Sequence, residues 1–249
     1  MYLSIIIPAY NEEARIQATL ESVSLYMSKQ NYDYEIIVVN DGSTDRTVDV
    51  VENVITQTPH VRLIDNKNNH GKGWVVRKGM LSAQGKYRLF MDADGSSNIE
   101  NLEKLLPLAV SGKYDIVAGS RRIEGAIVEM DQSFLRSMLG TVFRTAVRLA
   151  VPTGVVDSQN GFKLFTARAA EEIFPRERIF TWAFDVEVLA IAKLLKFSVK
   201  EVPIHWVNDD RSHVTMKGML TMLAEVVEIR IRLWMGAYYS KVAEEIRIG

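Results

Sequence analysis

The stretch Arg88-Leu-Phe-Met-Asp-Ala-Asp-Gly95 determines how the rest of this chain is interpreted. Tyr87 to Met91 is a short apolar run of the kind that forms a buried strand, and it stops at two carboxylates, Asp92 and Asp94. Carboxylates at the end of a buried strand are costly unless their charge is compensated, and a divalent cation is a common compensation. A polar turn is the alternative, because Asp-Gly pairs are frequent in turns. The stretch by itself leaves both interpretations open.

Length and composition are those of an ordinary globular protein. The 249 residues suffice for one large α/β domain, or for one domain with an appendage. Apolar residues make up 47% and charged residues 24%, which argues against disorder. The 30 basic residues nearly balance the 31 acidic ones, so a nucleic-acid partner is not indicated. Cysteine is absent, which excludes disulfides, and no apolar run reaches the about 18 residues that a membrane-spanning helix needs.

Apolar runs alternate with helical patterns along the first half of the chain. The alternation predicts a mostly parallel sheet with helices on both faces. A single strand is predicted over Val199–Trp206, and a helix over Met216–Tyr239. The other predicted strands begin near Leu3, Tyr34, Val61, Tyr87 and Asp115, with one more at the end of the segment 157–165.

Polar loops follow several of these strands. In an open parallel sheet, ligands bind beyond the carboxyl ends of the strands. Several polar loops at one edge favour a ligand site over solvated turns. The glycine patterns of dinucleotide domains and P-loops are missing, so the acidic edge indicates a metal or a sugar nucleotide rather than a bare phosphate. The polar residues placed there are Asn11, Glu12, Asp41, Asp45, Asp92 and Asp94.

Four motifs in this order resemble those of the family 2 inverting glycosyltransferases. The resemblance implies a Rossmann-like GT-A fold, a nucleotide-diphosphate sugar donor and a Mg²⁺ or Mn²⁺ ion. It assigns the Asp-x-Asp pair and the metal to Asp92 and Asp94, favours Asp94 as the direct ligand, and places Lys72 near the nucleotide. The motifs are Ser4-Ile-Ile-Ile-Pro-Ala-Tyr-Asn-Glu12, Val39-Asn-Asp-Gly-Ser-Thr-Asp45, Asn69-His-Gly-Lys-Gly73 and Met91-Asp-Ala-Asp-Gly95. The residues that the resemblance gives to the base and ribose are Pro8, Ala9, Asn11, Glu12 and Asp41, with Asp41 facing the base.

The second half is similar to the polyprenyl-phosphate members of that family, especially the dolichyl-phosphate glucosyltransferase subgroup. Three features carry this likeness: Ser120-Arg121-Arg122, Arg136 and Asp157-Ser-Gln-Asn-Gly-Phe-Lys-Leu-Phe165. They imply transfer of a sugar from a nucleotide donor to dolichyl or polyprenyl phosphate. Glucose is the favoured sugar and a UDP-sugar the favoured donor. Arg121 and Arg136 would bind the acceptor phosphate, while Asp157 and Gln159 would lie near the sugar or the metal.

A late basic loop is the point where the chain departs from this subgroup. Arg211 would belong to a loop that closes over the donor diphosphate. The subgroup usually has a Gly-Ser-Lys pattern there, whereas this chain has Arg211-Ser-His-Val214. The assignment of Arg211 to the nucleotide therefore depends on position more than on the motif.

A phosphate acceptor simplifies the expected chemistry. A phosphate monoester has a second pKa of about 6, so it is mostly dianionic at neutral pH and already a nucleophile. A sugar hydroxyl would need a general base within hydrogen-bond reach. Asp157 is therefore expected to position groups rather than to remove a proton. Asp185 and Glu187 either face the site, as an acidic pair does in the family, or merely favour a helix start.

The predicted organisation is a glycosyltransferase domain over residues 1–214 and an amphipathic helical segment over residues 215–249. Met, Trp and Tyr beside arginines in that segment suit a membrane interface, although packing on the domain would also explain them. With no leader pattern and a cytosolic supply of nucleotide sugars, the enzyme is expected in the cytoplasm, peripheral at the membrane. Two other functions stay open: a family 2 transferase with a saccharide acceptor, and a non-catalytic nucleotide-sugar-binding subunit.

Overall fold

The computed structural model of the protein describes residues 1–129, 145, 147–207 and 216–242. Its strands are β1 (Leu3–Ala9), β2 (Tyr34–Asp41), β3 (Val61–Asn66), β4 (Tyr87–Met91), β5 (Ile116–Ser120), β6 (Ile127–Glu129), β7 (Phe162–Thr166), β8 (Val199–Pro203) and β9 (His205–Val207). Its helices are α1 (Ile16–Met27), α2 (Thr47–Gln57), α3 (Lys72–Ser82), α4 (Leu102–Val110), α5 (Ala167–Ile173), α6 (Phe184–Leu194) and α7 (Met216–Trp234). Short 3₁₀ turns lie at Ile99–Asn101, Phe174–Arg176 and Ala237–Tyr239.

Within the described residues, seven strands form one sheet in the order β3-β2-β1-β4-β7-β5-β8. The chain moves outward from β1 through β2 to β3 and then returns to place β4 on the other side of β1. This change of direction opens a crevice at the carboxyl ends of β1 and β4, where open α/β sheets bind their ligands. The predicted α/β class with a mostly parallel sheet is confirmed.

Strand β7 is the exception to the parallel arrangement. It pairs antiparallel with β4 on one side and with β5 on the other. Its opposite direction brings the segment before Phe162 to the edge where β4 and β5 end. The residues of the predicted Asp157 motif therefore reach the same edge as Asp92 and Asp94.

Helices cover both faces of the sheet, as the alternating pattern predicts. Successive side chains of a strand point to opposite faces. Leu3, Ile5 and Ile7 of β1 accordingly pack with the apolar sides of α1, α2 and α4. Ile6 packs on the other face with residues of α3, α5 and α6. Burial on both faces explains why β1 is a continuous apolar run.

The prediction of a single strand over Val199–Trp206 is wrong, because the run divides at Ile204. Strand β8 pairs with β5 in the main sheet, whereas β9 pairs with β6 in a separate two-stranded sheet. The side chain of Ile204 is fully buried and packs into the core between the two pieces. A local apolar pattern does not show that a strand changes sheets.

Helix α7 packs through one face onto the rest of the protein. Met222, Val226 and Ile229 bury that face in a third apolar cluster with residues of 147–151 and of α6. Beyond α7, Tyr238 is buried and donates a hydrogen bond of 2.6 Å to Glu187 Oε1. None of the described helices is long and apolar enough to cross a membrane. The division of the chain at residue 214 stays a prediction.

Glu187 links this C-terminal segment to the loop before α6. Its Oε2 atom accepts hydrogen bonds from the backbone N–H groups of Arg178 (2.9 Å) and Ile179 (2.8 Å). Burial raises the pKa of Glu187 to about 7, against the lowering effect of its hydrogen bonds. The folded protein therefore holds a proton on Glu187 between pH 4.5 and about 7 that the unfolded chain releases, so this group makes stability fall as the pH rises through that window.

Replacing Glu187 by Gln should remove this pH dependence. The Glu187 contribution should lower the free energy of unfolding of wild type by up to about 3 kcal/mol between about pH 4.5 and about pH 8. Glutamine does not titrate, so the free energy of unfolding of Glu187→Gln minus that of wild type should rise by the same amount over this range. Urea unfolding at a series of pH values measures it. Glu52→Gln, at an exposed position on α2, is the control and should follow wild type. Parallel pH curves for Glu187→Gln and wild type would contradict the assignment.

Candidate active site

The site lies at the carboxyl ends of the neighbouring strands β1 and β4. Asp92 and Asp94 follow the last residue of β4, and Glu12 follows the end of β1. The charges of both aspartates act on Glu12, and the charge of Asp92 acts on Asp94. Three of the predicted site residues are thus brought together by strand pairing.

Asp92 is held between a lysine and a backbone segment. Lys72 Nζ lies 2.6 Å from Asp92 Oδ1. The backbone N–H of Asp92 donates to the carbonyl oxygen of Gly161 at 3.1 Å. A Cβ atom on Gly161 would lie 2.0 Å from Asp92 Oδ2, closer than any real contact. Position 161 therefore has to be glycine for the carboxylate of Asp92 to stand where it does.

Asp94 is less fully compensated than Asp92. Its Oδ1 atom accepts a hydrogen bond of 2.9 Å from the backbone N–H of Ser96. Burial and then the charge of Asp92 raise the pKa of Asp94, and the Ser96 bond and Lys72 only partly oppose them. Burial also raises the pKa of Glu12, whose ion pair with Arg15 at 2.6 Å opposes the effect. Additional positive charge beside Asp94 and Glu12 would therefore stabilise their ionised forms.

Arg121 and Asp157 form a bidentate ion pair near Asp92. Arg121 Nε donates to Asp157 Oδ2 and Nη2 donates to Oδ1, each at 2.8 Å. The Arg121 backbone N–H also donates to Oδ2, at 2.9 Å. Burial alone would raise the pKa of Asp157, but the bonds to Arg121 hold it below its usual value. Asp157 is therefore a firmly ionised carboxylate with both oxygens in use.

Glu201 of β8 fixes the backbone beside Asp157. Its two carboxylate oxygens accept hydrogen bonds from the backbone N–H groups of Val156 (2.7 Å) and Asp157 (2.9 Å). These contacts set the direction in which the Asp157 side chain leaves the main chain. Nothing in the local sequence around Glu201 indicates this role.

Lys163 and Asp185 form a buried pair beneath the site. Lys163 Nζ lies 2.5 Å from Asp185 Oδ1 and 2.5 Å from the carbonyl oxygen of Asn160. Burial raises the pKa of Asp185, against the opposing charges of Lys163 and Lys72. Asp185 therefore belongs to the charged group around Asp92, whereas Glu187, two residues later, binds Tyr238 and the 178–179 backbone. The two acids of the predicted pair therefore have different hydrogen-bond partners.

Asp41 lies at the end of β2 and braces the loop before α3. Its two oxygens accept hydrogen bonds from the backbone N–H groups of His70 (2.8 Å) and Gly71 (3.0 Å). Gly71 has φ +97°, and a Cβ atom there would lie 2.4 Å from the carbonyl oxygen of Phe180. The glycine is thus required for the turn that starts α3 at Lys72. The expected role of Asp41 toward a base stays a prediction.

The remaining predicted site residues are placed as follows. Pro8 and Ala9 are buried at the end of β1. Asn11 Oδ1 accepts a hydrogen bond of 2.9 Å from the backbone N–H of Thr44, which ties β1 to the loop after β2. Gln159 Nε2 lies 3.0 Å from the sulfur of Met222 on α7. Arg136 and Arg211 lie outside the described residues.

Three residues that hold the site were given no role by the sequence interpretation. Gly161 and Lys163 belong to the segment that carries Asp157, and a glycine beside charged motif residues was a signal for close backbone approach. Glu201 gave no comparable signal, because an acidic residue in an alternating strand is ordinary. Its function depends on the pairing of β8 with β5.

A methyl group at position 161 should displace Asp92. We expect Gly161→Ala to lower the predicted sugar transfer by about 100-fold, since a shift of about 1 Å at a reacting site has effects of that size. The measurement is a steady-state rate with a folding check by circular dichroism. Gly112→Ala is the control: its φ is +72° and its Cβ would meet nothing within 4 Å, so it costs stability without touching the site. Equal rates for both variants would contradict this account.

The donor set fits a cation that is shared with a substrate. Among the described residues, no group of three or more His, Cys, Asp or Glu side chains is arranged to hold a metal. Mg²⁺ sites commonly use one or two carboxylates, with substrate phosphates and water as the other ligands. Asp94 together with Asp92 supplies such a partial set.

Comparison with known sequences identifies the family. The model of glycosyl transferase family 2 matches residues 4–174. A dolichyl-phosphate beta-glucosyltransferase of Trichomonas vaginalis is 37% identical over 251 residues, covering 97% of this chain and 74% of that protein. Those of Dictyostelium discoideum and Homo sapiens are 36% and 33% identical, covering 97% and 95% of this chain and 77% of each relative. The likeness extends through both halves of the chain.

Two solved structures of other proteins have the same fold. Mannosyl-3-phosphoglycerate synthase from Rubrobacter xylanophilus superposes with a TM-score of 0.71 at 15% identity, over 100% of this chain and 79% of that one. Glucosyl-3-phosphoglycerate synthase from Mycobacterium tuberculosis, in complex with Mn²⁺, UDP-glucose and phosphoglyceric acid, gives 0.68 at 16% identity, over 97% and 81%. These likenesses show the fold. The chain belongs to glycosyl transferase family 2, and it is a glycosyltransferase with a GT-A fold.

Proposed function

We propose that this enzyme transfers glucose, with inversion, from UDP-glucose to dolichyl or another polyprenyl phosphate, using Mg²⁺ or Mn²⁺. The observation that carries the proposal is the Arg121–Asp157 pair, which lies beside Asp92. The relatives named dolichyl-phosphate beta-glucosyltransferase match this chain over both halves, which supports the same acceptor.

The acceptor phosphate is assigned to Arg121. Its Nε–H and one Nη2–H bind Asp157, and its planar guanidinium has further N–H groups that a phosphate can accept. The guanidinium carbon lies 5.2 Å from the ring centre of Trp206, so the ring and Asp157 together fix its plane. A fixed guanidinium favours phosphate binding because little side-chain freedom is lost on binding. Arg136 is the second arginine that we assign to this phosphate.

The donor diphosphate is assigned to the part of the site formed by Asp92, Asp94 and Lys72. Asp94 and Asp92 would hold the cation, and the cation would supply positive charge against the leaving diphosphate. We assign Lys72, whose Nζ lies 2.6 Å from Asp92 Oδ1, to the negative charge of the same diphosphate. We give the base and ribose to Pro8, Ala9, Asn11, Glu12 and Asp41, and Arg211 to the diphosphate.

The reaction needs no general base from the protein. An oxygen of the acceptor phosphate attacks the anomeric carbon while the bond from that carbon to the diphosphate oxygen breaks on the opposite face. The new glycosyl phosphate forms as UDP leaves, and no proton has to be removed from a dianionic phosphate. Asp157 has both oxygens bound and a lowered pKa, so it acts by orienting Arg121. A lipid acceptor supports a location at a membrane, and the cytosolic supply of nucleotide sugars supports its cytoplasmic face.

Replacing Asp94 tests the metal and the reaction together. Polyprenyl phosphate is incubated with a panel of sugar nucleotides, with and without Mn²⁺ or Mg²⁺, and the lipid-linked sugar is measured. We expect metal-dependent product from UDP-glucose and a loss of about 1,000-fold in Asp94→Asn. Asp49→Asn, at an exposed position on α2, should behave as wild type. Donor hydrolysis without lipid product would instead favour a saccharide acceptor, and donor binding without turnover would favour a non-catalytic subunit.

A pH–rate profile of Asp157→Asn tests whether this carboxylate positions groups or removes a proton. We expect the rate to fall by about 100-fold at every pH, with an inflection near pH 6 from the acceptor phosphate retained in both proteins. Asp115→Asn is a matched control, because Asp115 also binds an arginine, Arg168, but at the other end of β5. Loss of the inflection in Asp157→Asn alone would show that Asp157 is the base.

A further inference from the structure

Helix α7 carries a second apolar face that no described part of the protein covers. Leu220, Leu223, Val227, Ile231 and Trp234 recur at intervals of three or four residues, the spacing of one helix face. Their exposed fractions are 65%, 37%, 58%, 46% and 75%. We call these five residues the outer stripe. It extends for about 21 Å along the helix.

The outer stripe is distinct from the face that holds α7 in place. Met222, Val226 and Ile229 are buried on the inner side of the helix. On the remaining side, Arg232 and Glu228 form an ion pair at 2.5 Å. The helix therefore has a buried apolar sector, a polar sector and an exposed apolar sector. Single exposed apolar residues need no explanation, whereas a continuous row of them marks an interaction surface.

We propose that the outer stripe is the surface through which this enzyme binds a lipid bilayer. The inference rests on the proposed function, because an acceptor with a polyprenyl tail is held in a membrane. The inner side of the same helix touches the segment that carries Asp157, since Met222 contacts Gln159. Glu225 of α7 also accepts hydrogen bonds from Thr181 and from the backbone N–H of Ala183, just before α6. A bilayer on the outer stripe would thus be separated from Gln159 by one helix diameter, about 10 Å.

The C-terminal end of the stripe has the chemistry of a membrane interface. Trp234 and Tyr239 are 75% and 68% exposed, and both have an apolar ring with a polar group. The guanidinium carbon of Arg230 lies 5.0 Å from the ring centre of Trp234. Aromatic rings beside arginines suit the headgroup level, where the ring enters the acyl region and the cation meets lipid phosphates.

Vesicle sedimentation without donor or acceptor tests this surface. The vesicles contain phosphatidylcholine and phosphatidylglycerol, and the variant is Val227→Asp combined with Ile231→Asp. We expect its vesicle binding to fall by about tenfold or more, because two apolar contacts become charges. Leu25→Asp, at a 62% exposed leucine on α1, is the matched control and should bind as wild type. Thermal unfolding checks the fold, and Leu220→Asp is a second variant at the other end of the stripe.

The outcomes separate the surface from the reaction. Weaker vesicle binding by the stripe variants, with unchanged transfer onto a water-soluble short-chain prenyl phosphate, supports the proposal. Equal vesicle binding by the variants and wild type overturns it. The proposal is also overturned if wild type does not bind vesicles and instead forms a dimer in analytical ultracentrifugation, while the stripe variants are monomers. Failure of wild type to glucosylate the soluble acceptor would overturn the proposed function and leave the vesicle result to stand alone.

Discussion

Strand β7 runs antiparallel between β4 and β5, and the arrangement of the site depends on that pairing. Because of its direction, the segment before β7 emerges at the edge where β4 and β5 end. There Gly161 touches Asp92, and Asp157 binds Arg121. A parallel strand of five residues in the same position would carry that segment to the opposite edge, about 17 Å away. One reversed strand thus brings the Arg121–Asp157 pair to the edge of the sheet that carries Asp92 and Asp94.

The buried charges of the site are arranged in pairs. Arg121 binds Asp157 through two hydrogen bonds, and Lys163 lies 2.5 Å from Asp185. Removing a charge from water is costly, and pairing with good geometry offsets the cost. The pairs are complete without any substrate, so their side chains need little rearrangement when a charged substrate arrives. Such preorganisation is how a site stabilises charge that develops during a reaction.

Helix α7 connects this charged edge with the outside of the protein. Its inner side reaches Gln159 through Met222 and the turn before α6 through Glu225. The segment that follows it reaches Glu187 through Tyr238. The segment that carries Asp157 and the start of α6 are therefore packed against a helix whose other apolar face is exposed. The proposed bilayer-binding face and the contacts to Gln159 and to the turn before α6 thus belong to one helix.

Much of the fold was predictable because its signals are local. The apolar run of β1 identifies a strand buried on both faces, and the carboxylates after β4 mark its end. The family motifs lie in these local segments, so the family was also predictable. The division of the run 199–206 at Ile204 was not, because each half pairs with a different sheet.

By itself, the sequence determined most of the strands and helices along the chain, the family and the residues that stand at strand ends. Tertiary structure alone decided how those residues are held. Lys163 meets Asp185 across 22 positions, and Glu201 holds the backbone of Asp157 across 44. Asp185 and Glu187, two residues apart, lie in different surroundings. The physical reason is that apolar periodicity and turn residues act over a few positions, whereas ion pairs depend on which strands become neighbours.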